Sequence, residues 1–334
     1  MGEIGIALVG CGYIADYHAR GLKKRPGVNL KVAASARMES AQTFAAKHGI
    51  REAQTDIAKI ACRDDIQAVI LSTPNKFHAP HAIELLKNGK DIFIEKPMAM
   101  NAGEAAEINR TAGAHGQLVM VGYMWRFDEE VNHVKDAVSS GKLGKIIKTK
   151  GFGIHENWGP QGWFTSKEYA GGGALADMGV HAIDTARYLI GDPEPAEVYA
   201  KVGTYFGDYD VDDCGTMVIT WKNGITSIIE SGWWQPYSDG PEAATRLYGT
   251  EGYASVFPTF LKLKEQGEYQ LVEGPKPEKQ EHCDQVIYDR QMAHFVDCIN
   301  RRSEPSPGYA EGTVIQEIVD AAYQSSQTGE VIKF

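Results

Sequence analysis

Cysteine is scarce in this chain and scattered along it. The five cysteines, Cys11, Cys62, Cys214, Cys283 and Cys298, are odd in number and unclustered. That distribution leaves neither a disulfide framework nor a zinc spacing and fits a reducing cytoplasm, the expected location. Basic charge is short as well: 34 Lys and Arg stand against 44 Asp and Glu, a formal net charge of −10. Binding to nucleic-acid phosphates needs clustered cations. Here they are dispersed, and Lys23-Lys24-Arg25 reads as the solvated end of a helix, so no nucleic-acid partner is expected. No run of about 18 apolar residues occurs, so no membrane span is expected either. Strand-like residues begin at Ile4, which leaves no room for a signal peptide. What the chain does have is length and apolar content: 334 residues, 43% hydrophobic, enough for a sizeable core shared between two domains.

The stretch from Ile4 to Ala15 organises the first of them. Ile4–Val9 is an unbroken apolar run, the pattern of a strand buried on both faces. It stops at Gly10, and a helical pattern follows through Ala15, Ala19 and Leu22. Gly10-Cys11-Gly12-Tyr13-Ile14-Ala15 is therefore a G-x-G-x-x-A turn between strand and helix. Gly10 permits the tight turn, Gly12 removes a side chain from the path of a pyrophosphate, and Ala15 lets helix and strand pack. The helix N-terminus offers free N–H groups to the anion. Gly10, Gly12, Tyr13 and Ile14 are the expected dinucleotide contacts here.

Strand-like runs recur at 30–35, 68–73, 91–95 and 117–122, with helical patterns at 39–48, 80–88 and 102–115. Such alternation implies a parallel sheet with right-handed crossovers, whose ligands lie beyond the carboxyl ends of the strands. The chain places Ser35 and Arg37 after the second strand, Thr73, Pro74 and Asn75 after the third, and Glu95, Lys96 and Pro97 after the fourth. Tyr123, Met124, Trp125 and Arg126 follow the fifth. Ser35, Arg37, Thr73, Pro74, Asn75, nearby His78, Glu95, Lys96 and Arg126 are expected at the cofactor, joined by Trp163 from the second domain. No acid occurs from Val32 to Met38, where a fold preferring an unphosphorylated ribose usually carries one. The Arg37 guanidinium suits a 2′-phosphate, so NADP(H) is preferred over NAD(H). Lys96 at a strand end could bond a substrate hydroxyl and steady alkoxide-like charge. Position alone does not settle whether the Lys96–Pro97 bond is cis.

After Val121 the period changes, setting domains of 1–122 and 123–334. A helix through Val131, Val134, Ala137 and Val138 ends near Gly141. Strand-like segments at 146–155, 196–205, 211–221, 225–234, 245–248 and 261–264 follow, an open, mainly antiparallel sheet. Two helices, about 284–301 and 309–328, close the chain. One further helix is inserted early, led in by Gly171-Gly172-Gly173 and ended by Gly191-Asp192-Pro193. Asp177 and His181 are four apart on it and Asp184 three further on, so the three share a face. A carboxylate one turn from an imidazole fixes its tautomer and raises its basicity. On an arbitrary helix such a pair is usually surface decoration; a triple glycine, which admits another backbone, argues otherwise. His155, Glu156, Asp177 and His181 lack a metal-ligand spacing, and no metal is expected. His18, His48, His115 and His294, in helical runs, are read as structural. Trp125, Trp163 and Trp233-Trp234 offer aromatic faces for a sugar or a nicotinamide.

Three motifs in order, Gly10-Cys11-Gly12-Tyr13-Ile14-Ala15, Glu95-Lys96-Pro97 and Gly171-Gly172-Gly173-Ala174-Leu175-Ala176-Asp177-Met178-Gly179-Val180-His181, make the chain resemble the glucose–fructose oxidoreductase/inositol dehydrogenase/rhizopine catabolism (Gfo/Idh/MocA) family over nearly its whole length. The resemblance implies an α/β fold: an N-terminal Rossmann domain and a C-terminal α+β domain whose sheet mediates homodimers or homotetramers. It places the catalytic lysine, aspartate and histidine on Lys96, Asp177 and His181. Substrate hydroxyls would be bonded by these three, His155 and Asn157, with Trp125 and Tyr237 beside them. The implied reaction is hydride transfer between NADP or NAD and a hydroxyl-bearing carbon of a sugar, sugar derivative or cyclitol. His181 serves as general base, Asp177 holds the imidazole and Lys96 steadies the oxyanion; which of His181 and Lys96 moves the proton stays open. Other relatives use a tightly held cofactor for transient oxidation and elimination of a glycosidic bond. Still others sense nucleotide without chemistry.

Overall fold

The computed structural model describes residues 3–236, 242–279 and 283–334. In chain order it runs β1 (Ile4–Val9), α1 (Tyr13–Lys23), β2 (Val28–Ala34), α2 (Met38–His48), β3 (Glu52–Gln54), α3 (Ile57–Ala61), β4 (Ala68–Leu71), α4 (His78–Lys87), β5 (Asp91–Ile94), α5 (Ala102–His115) and β6 (Val119–Val121). Then come α6 (Glu129–Ser139), β7 (Ile146–Glu156), α7 (Lys167–Ala170), a π-turn (Leu175–Gly179), α8 (Val180–Leu189), β8 (Pro195–Gly203), β9 (Cys214–Trp221) and β10 (Thr226–Gln235). The chain finishes with β11 (Ala243–Gly249), β12 (Gly252–Val256), β13 (Phe260–Glu265), β14 (Glu268–Glu273), α9 (Gln285–Arg301), α10 (Tyr309–Thr328) and β15 (Ile332–Lys333). Among the described residues no helix is long and apolar enough to cross a membrane.

The chain divides into two units, Met1–Met124 with Lys279–Thr313, and Trp125–Glu278 with Val314–Phe334. The first holds a six-stranded sheet ordered β3-β2-β1-β4-β5-β6, every pairing parallel. Its central strand β1 is buried at all six residues, which is why it is written in apolar residues on both faces. Each such Ile, Leu or Val contributes about 1.5–3 kcal/mol on burial. The order turns back at the β1/β4 neighbours, and successive crossovers leave in opposite directions there, opening a crevice at their carboxyl ends. The three-residue β3 and five-residue α3 are absent from the sequence reading; both are too short to show a period. Residues 279–313 belong with this unit although the sequence boundary puts them in the other domain. Helix α9 lies along α1, where Gly21 admits Met292. Lys24 pairs with Asp289 at 2.5 Å and Arg25 with Asp297 at 2.8 Å. Nothing in the local pattern of α9 announces a partner so far back in the chain.

The second unit is a nine-stranded sheet ordered β14-β13-β12-β11-β7-β10-β9-β8-β15. Only the β7–β10 pairing is parallel; the others are antiparallel. The fold is thus the parallel Rossmann sheet plus the mainly antiparallel sheet anticipated above, with β12, β14 and β15 added. Helix α8 is fully amphipathic only in sequence: nine of its ten residues are buried, because it packs against β7, β10 and β11. The turn before it is π rather than α, a wide turn that often marks functional sites.

Candidate active site

In the first unit the polar residues gather along the carboxyl edge of the parallel sheet. Gly10 has φ +98°, and a Cβ there would lie 2.3 Å from the Ser72 carbonyl oxygen, so only glycine fits. Gly12 differs: a Cβ there would meet nothing within 4 Å. Its freedom from a side chain serves no packing need, and the adjacent N-terminus of α1 has no side-chain cap. A groove of about 680 Å³ opens beside it, lined by Gly12, Tyr13, Asp16, Arg37, Ser40, Thr43 and Lys47, among others. Arg37 is exposed, and its guanidinium has no partner among the described residues. Lys47 pairs with Asp16 at 2.6 Å. The buried Oγ1 of Thr73, at the next strand end but one, also lacks a hydrogen-bond partner among them. An uncapped helix end, an empty cradle at Gly12 and an orphaned hydroxyl fit a dinucleotide.

Other expected contacts of this edge are engaged within the protein. Glu95 accepts from Lys96 N–H at 3.2 Å and faces His18 Nε2 at 2.7 Å. Tyr13 is largely exposed, its hydroxyl 2.8 Å from that of Tyr17. Ile14 and Ser35 are half-buried, and Asn75 is buried. Lys96 is half-buried beside a cis Lys96–Pro97 bond. The thiol of Cys11, in the turn itself, is pushed up to about 11 by burial, so it stays protonated and is no nucleophile. His78 is a correction. It is wholly buried, and its two ring nitrogens lie 2.9 Å from the carbonyl oxygens of Pro97 and Thr73. It ties two strand ends together and has no face left for a cofactor.

The second unit gathers its groups around the π-turn. Asp177 Oδ2 accepts from Trp233 Nε1–H at 3.1 Å and lies 3.9 Å from His155 Nε2. Nδ1 of His155 is 3.4 Å from Glu242 Oε1. The His155 ring stacks on Trp158 at 3.6 Å, and the Trp158 N–H donates to the same Glu242 carboxylate. His181, 6% exposed, packs against the Trp125 ring at 4.9 Å. Asn157 is exposed with φ +58°, and its N–H donates to Gln235. Trp163 is half-buried and stacks on Phe164. Tyr237 lies outside the described residues. Arg126 is the second correction. Its side chain is 2% exposed and forks onto Asp184 and Asp192, each at 2.7 Å, so it is held charged by two carboxylates and is closed to a cofactor. For the same reason Asp184 does not join Asp177 and His181.

Several residues here escaped the sequence reading. Ser40, Thr43 and Lys47 share one face of α2 by their spacing of three and four, a signal that was present. Glu242 and Asp212 come from loops elsewhere in the chain, and no local spacing links them to Asp177; Trp233 was read for its aromatic face, and its N–H bond to Asp177 was not.

A parallel sheet in this order, with an open glycine turn at its switch point, defines a dinucleotide-binding fold. Residues 4–123 match the model of the oxidoreductase family with an NAD-binding Rossmann fold, and residues 131–255 match the GFO/IDH/MocA C-terminal domain. The chain belongs to the Gfo/Idh/MocA family and is an NAD(P)-dependent oxidoreductase acting on CH–OH groups. It is 28% identical to D-glucoside 3-dehydrogenase of Escherichia coli (strain K12) over 97% of this chain and 95% of that one. It is 27% identical to scyllo-inositol 2-dehydrogenase (NAD(+)) of Bacillus subtilis (strain 168), over 98% and 95%. Its fold superposes on levoglucosan dehydrogenase in complex with NADH and levoglucosan with a TM-score of 0.90, at 24% identity and 99% coverage of both chains.

Proposed function

We propose that this enzyme oxidises or reduces one hydroxyl-bearing carbon of a sugar, sugar derivative or cyclitol, with NADP(H) preferred over NAD(H). The observation that carries the reading is the buried His181 imidazole one turn beyond Asp177, in a chain of this family. A bound nicotinamide supplies the hydride acceptor or donor. Gly10, Gly12, the N-terminus of α1, Ser35 and Thr73 would hold the dinucleotide, and Arg37, with Lys47 across the groove, would meet a 2′-phosphate. Asp16 and Glu39 also line that groove, so the preference rests on Arg37's unpaired guanidinium and the absence of an acid at the end of β2.

His181 takes the hydroxyl proton as general base; packed against Trp125, its ring holds one orientation. Asp177 keeps the imidazole's charge compensated, with Trp233 fixing one carboxylate oxygen. Lys96 steadies charge on the substrate oxygen, and His155 and Asn157 bond neighbouring hydroxyls. Assembly into homodimers or homotetramers through the outer face of the second sheet belongs to the same reading.

The test is Lys96→Ala and His181→Ala, with coenzyme affinity titrated separately by fluorescence. Turnover should fall about 10²–10⁴-fold in each, the usual worth of a positioned acid or base, while coenzyme affinity holds. Near-parental turnover in both would overturn the assignment. A panel of sugars, inositols and keto-sugars with NADP(H) and NAD(H) identifies the substrate and checks the preference.

A further inference from the structure

The glycines that lead into the π-turn are held by one residue from elsewhere in the second unit. The Asp212 carboxylate accepts the Gly173 N–H on one oxygen and the Leu175 N–H on the other, both at 2.8 Å. Between them, the Ala174 N–H donates to the Asp212 backbone carbonyl at 2.8 Å. Three consecutive N–H groups thus end on a single residue. Tyr323 of α10 donates its hydroxyl to Asp212 Oδ1 at 2.7 Å. The glycines are the imprint of this clamp. A Cβ at Gly173 would lie 1.8 Å from the Asp212 carbonyl oxygen, and one at Gly172 2.0 Å from the Tyr323 hydroxyl.

Asp212 is 6% exposed, and among the described residues no lysine or arginine pairs with it. Burial pushes its carboxyl above the usual range, while the Tyr323 hydroxyl and the backbone N–H groups pull the other way. Burial also holds the Tyr323 phenol well above its ordinary value, so it remains a donor. The donors around Asp212 are N–H and O–H groups that a carboxylate can accept from. A buried carboxylate without a cation is a poor way to gain stability, but a good way to fix backbone donors in direction. The clamp reaches Asp177 in one step: Gly173 N–H is held by Asp212, and Gly173 carbonyl accepts the Asp177 N–H at 2.9 Å.

We propose that Asp212, braced by Tyr323, is a positioning residue that sets the π-turn and through it the direction of Asp177. This rests on the reading that Asp177 and His181 serve the proton transfer. The test uses the full chain carrying Asp212→Asn or Tyr323→Phe, beside Asp177→Asn and His181→Ala. Asparagine keeps the shape but turns an amide donor against a backbone donor. Phenylalanine keeps the ring and removes the bond. In Asp212→Asn, kcat should fall about 10–100-fold, the range in which a misplacement near 1 Å acts, with coenzyme affinity within twofold of the parent. The pH profile of kcat should shift, since the carboxylate that compensates the imidazole has turned. Tyr323→Phe should move both readouts the same way, about three- to tenfold in kcat, as one lost hydrogen bond of about 1 kcal/mol would.

A melting temperature lowered in both variants, with kcat and its pH profile within twofold of the parent, assigns Asp212 a purely structural role and overturns the proposal. Should Asp212→Asn fail to fold, Tyr323→Phe decides on the same criterion. If Asp177→Asn and His181→Ala themselves turn over at the parental rate, the functional reading falls. If those two are dead while Asp212→Asn and Tyr323→Phe match the parent, only the clamp falls.

Discussion

The two units hold their polar residues in place by different means. In the first, topology does the work. Six parallel strands end on one edge, and each short loop delivers its residues there whatever its local sequence, so Gly10, Arg37, Thr73 and Lys96 belong together because their strands do. In the second, β7 and β10 are neighbours and the π-turn packs on both, but its polar groups are fixed by individual long-range bonds, from Trp233 and His155 to Asp177 and from the turn's own N–H groups to Asp212. An edge built by topology tolerates changes at single residues, whereas a cluster built by pairwise bonds fails when one partner goes.

The sharpest way to break that contrast is to remove one ion pair from each unit. Arg126→Ala leaves the Asp184 carboxylate, 1% exposed, without its cation. A buried charge stranded in this way costs about 3–5 kcal/mol, and the second unit should lose most of its resistance to urea. Lys24→Ala in the first unit breaks an ion pair whose lysine side chain is 59% exposed; an exposed pair is worth about 0–1 kcal/mol. Equal losses in denaturant melts would erase the distinction.

Glycines sharpen it further. Gly173→Ala drives a methyl against the Asp212 backbone, 1.8 Å from its carbonyl oxygen, and overpacking of that kind costs about 1–3 kcal/mol. Gly12→Ala meets open space, at an ordinary φ of −91°, so the melting temperature should hold. Coenzyme affinity should instead fall at least about tenfold, or 1.4 kcal/mol, because in the proposed site the methyl would stand in the path of the pyrophosphate. A stability loss in Gly12→Ala without a loss of affinity would show that this glycine serves the fold.

The same division decides what could be read from the sequence. The strands of the first unit, the glycine turn and the bounds of α5 and α10 were legible because period and turn chemistry are local. β3 was not, since three half-buried residues show no alternation. The π-turn was hidden because its apolar stripe also satisfies a plain helix. Arg126 was misread for an instructive reason: a cation just past a strand end looks like a ligand contact, and its true partners lie 58 and 66 residues further on. His78 misled in the same way, from a strand end whose neighbouring carbonyls cannot be seen in sequence. The triple glycine was read correctly as admitting another backbone; that the backbone is Asp212 required the fold.

Arg37→Ala tests the topological edge by a smaller effect. With the unpaired guanidinium gone, affinity for NADP(H) should drop about tenfold, the 1.5–3 kcal/mol scale of one charge-assisted bond reduced by exposure. NAD(H) affinity should hardly move. Equal losses for both coenzymes would place Arg37 away from the 2′-phosphate and return the preference to NAD(H).

Acid gives the gentlest test of the first unit. Burial is the leading cause holding the His48, His78, His81 and His294 imidazoles below their ordinary value, and all four belong to the first unit. At His78 this burial outweighs the pull of two carbonyl oxygens at 2.9 Å. Because the folded pKa lies below the unfolded one, the unfolded chain takes up these protons first. The stability they contribute is present above the ordinary histidine value and lost as pH falls through it toward the folded values. Asp91 opposes this, its carboxyl raised by burial, but from the carboxylate range at lower pH. Hydrogen exchange should therefore show protection in β4, α4 and β5 falling between pH 7.5 and 5.5. Unchanged protection there would mean that the buried imidazoles do not set the acid limit of the first unit.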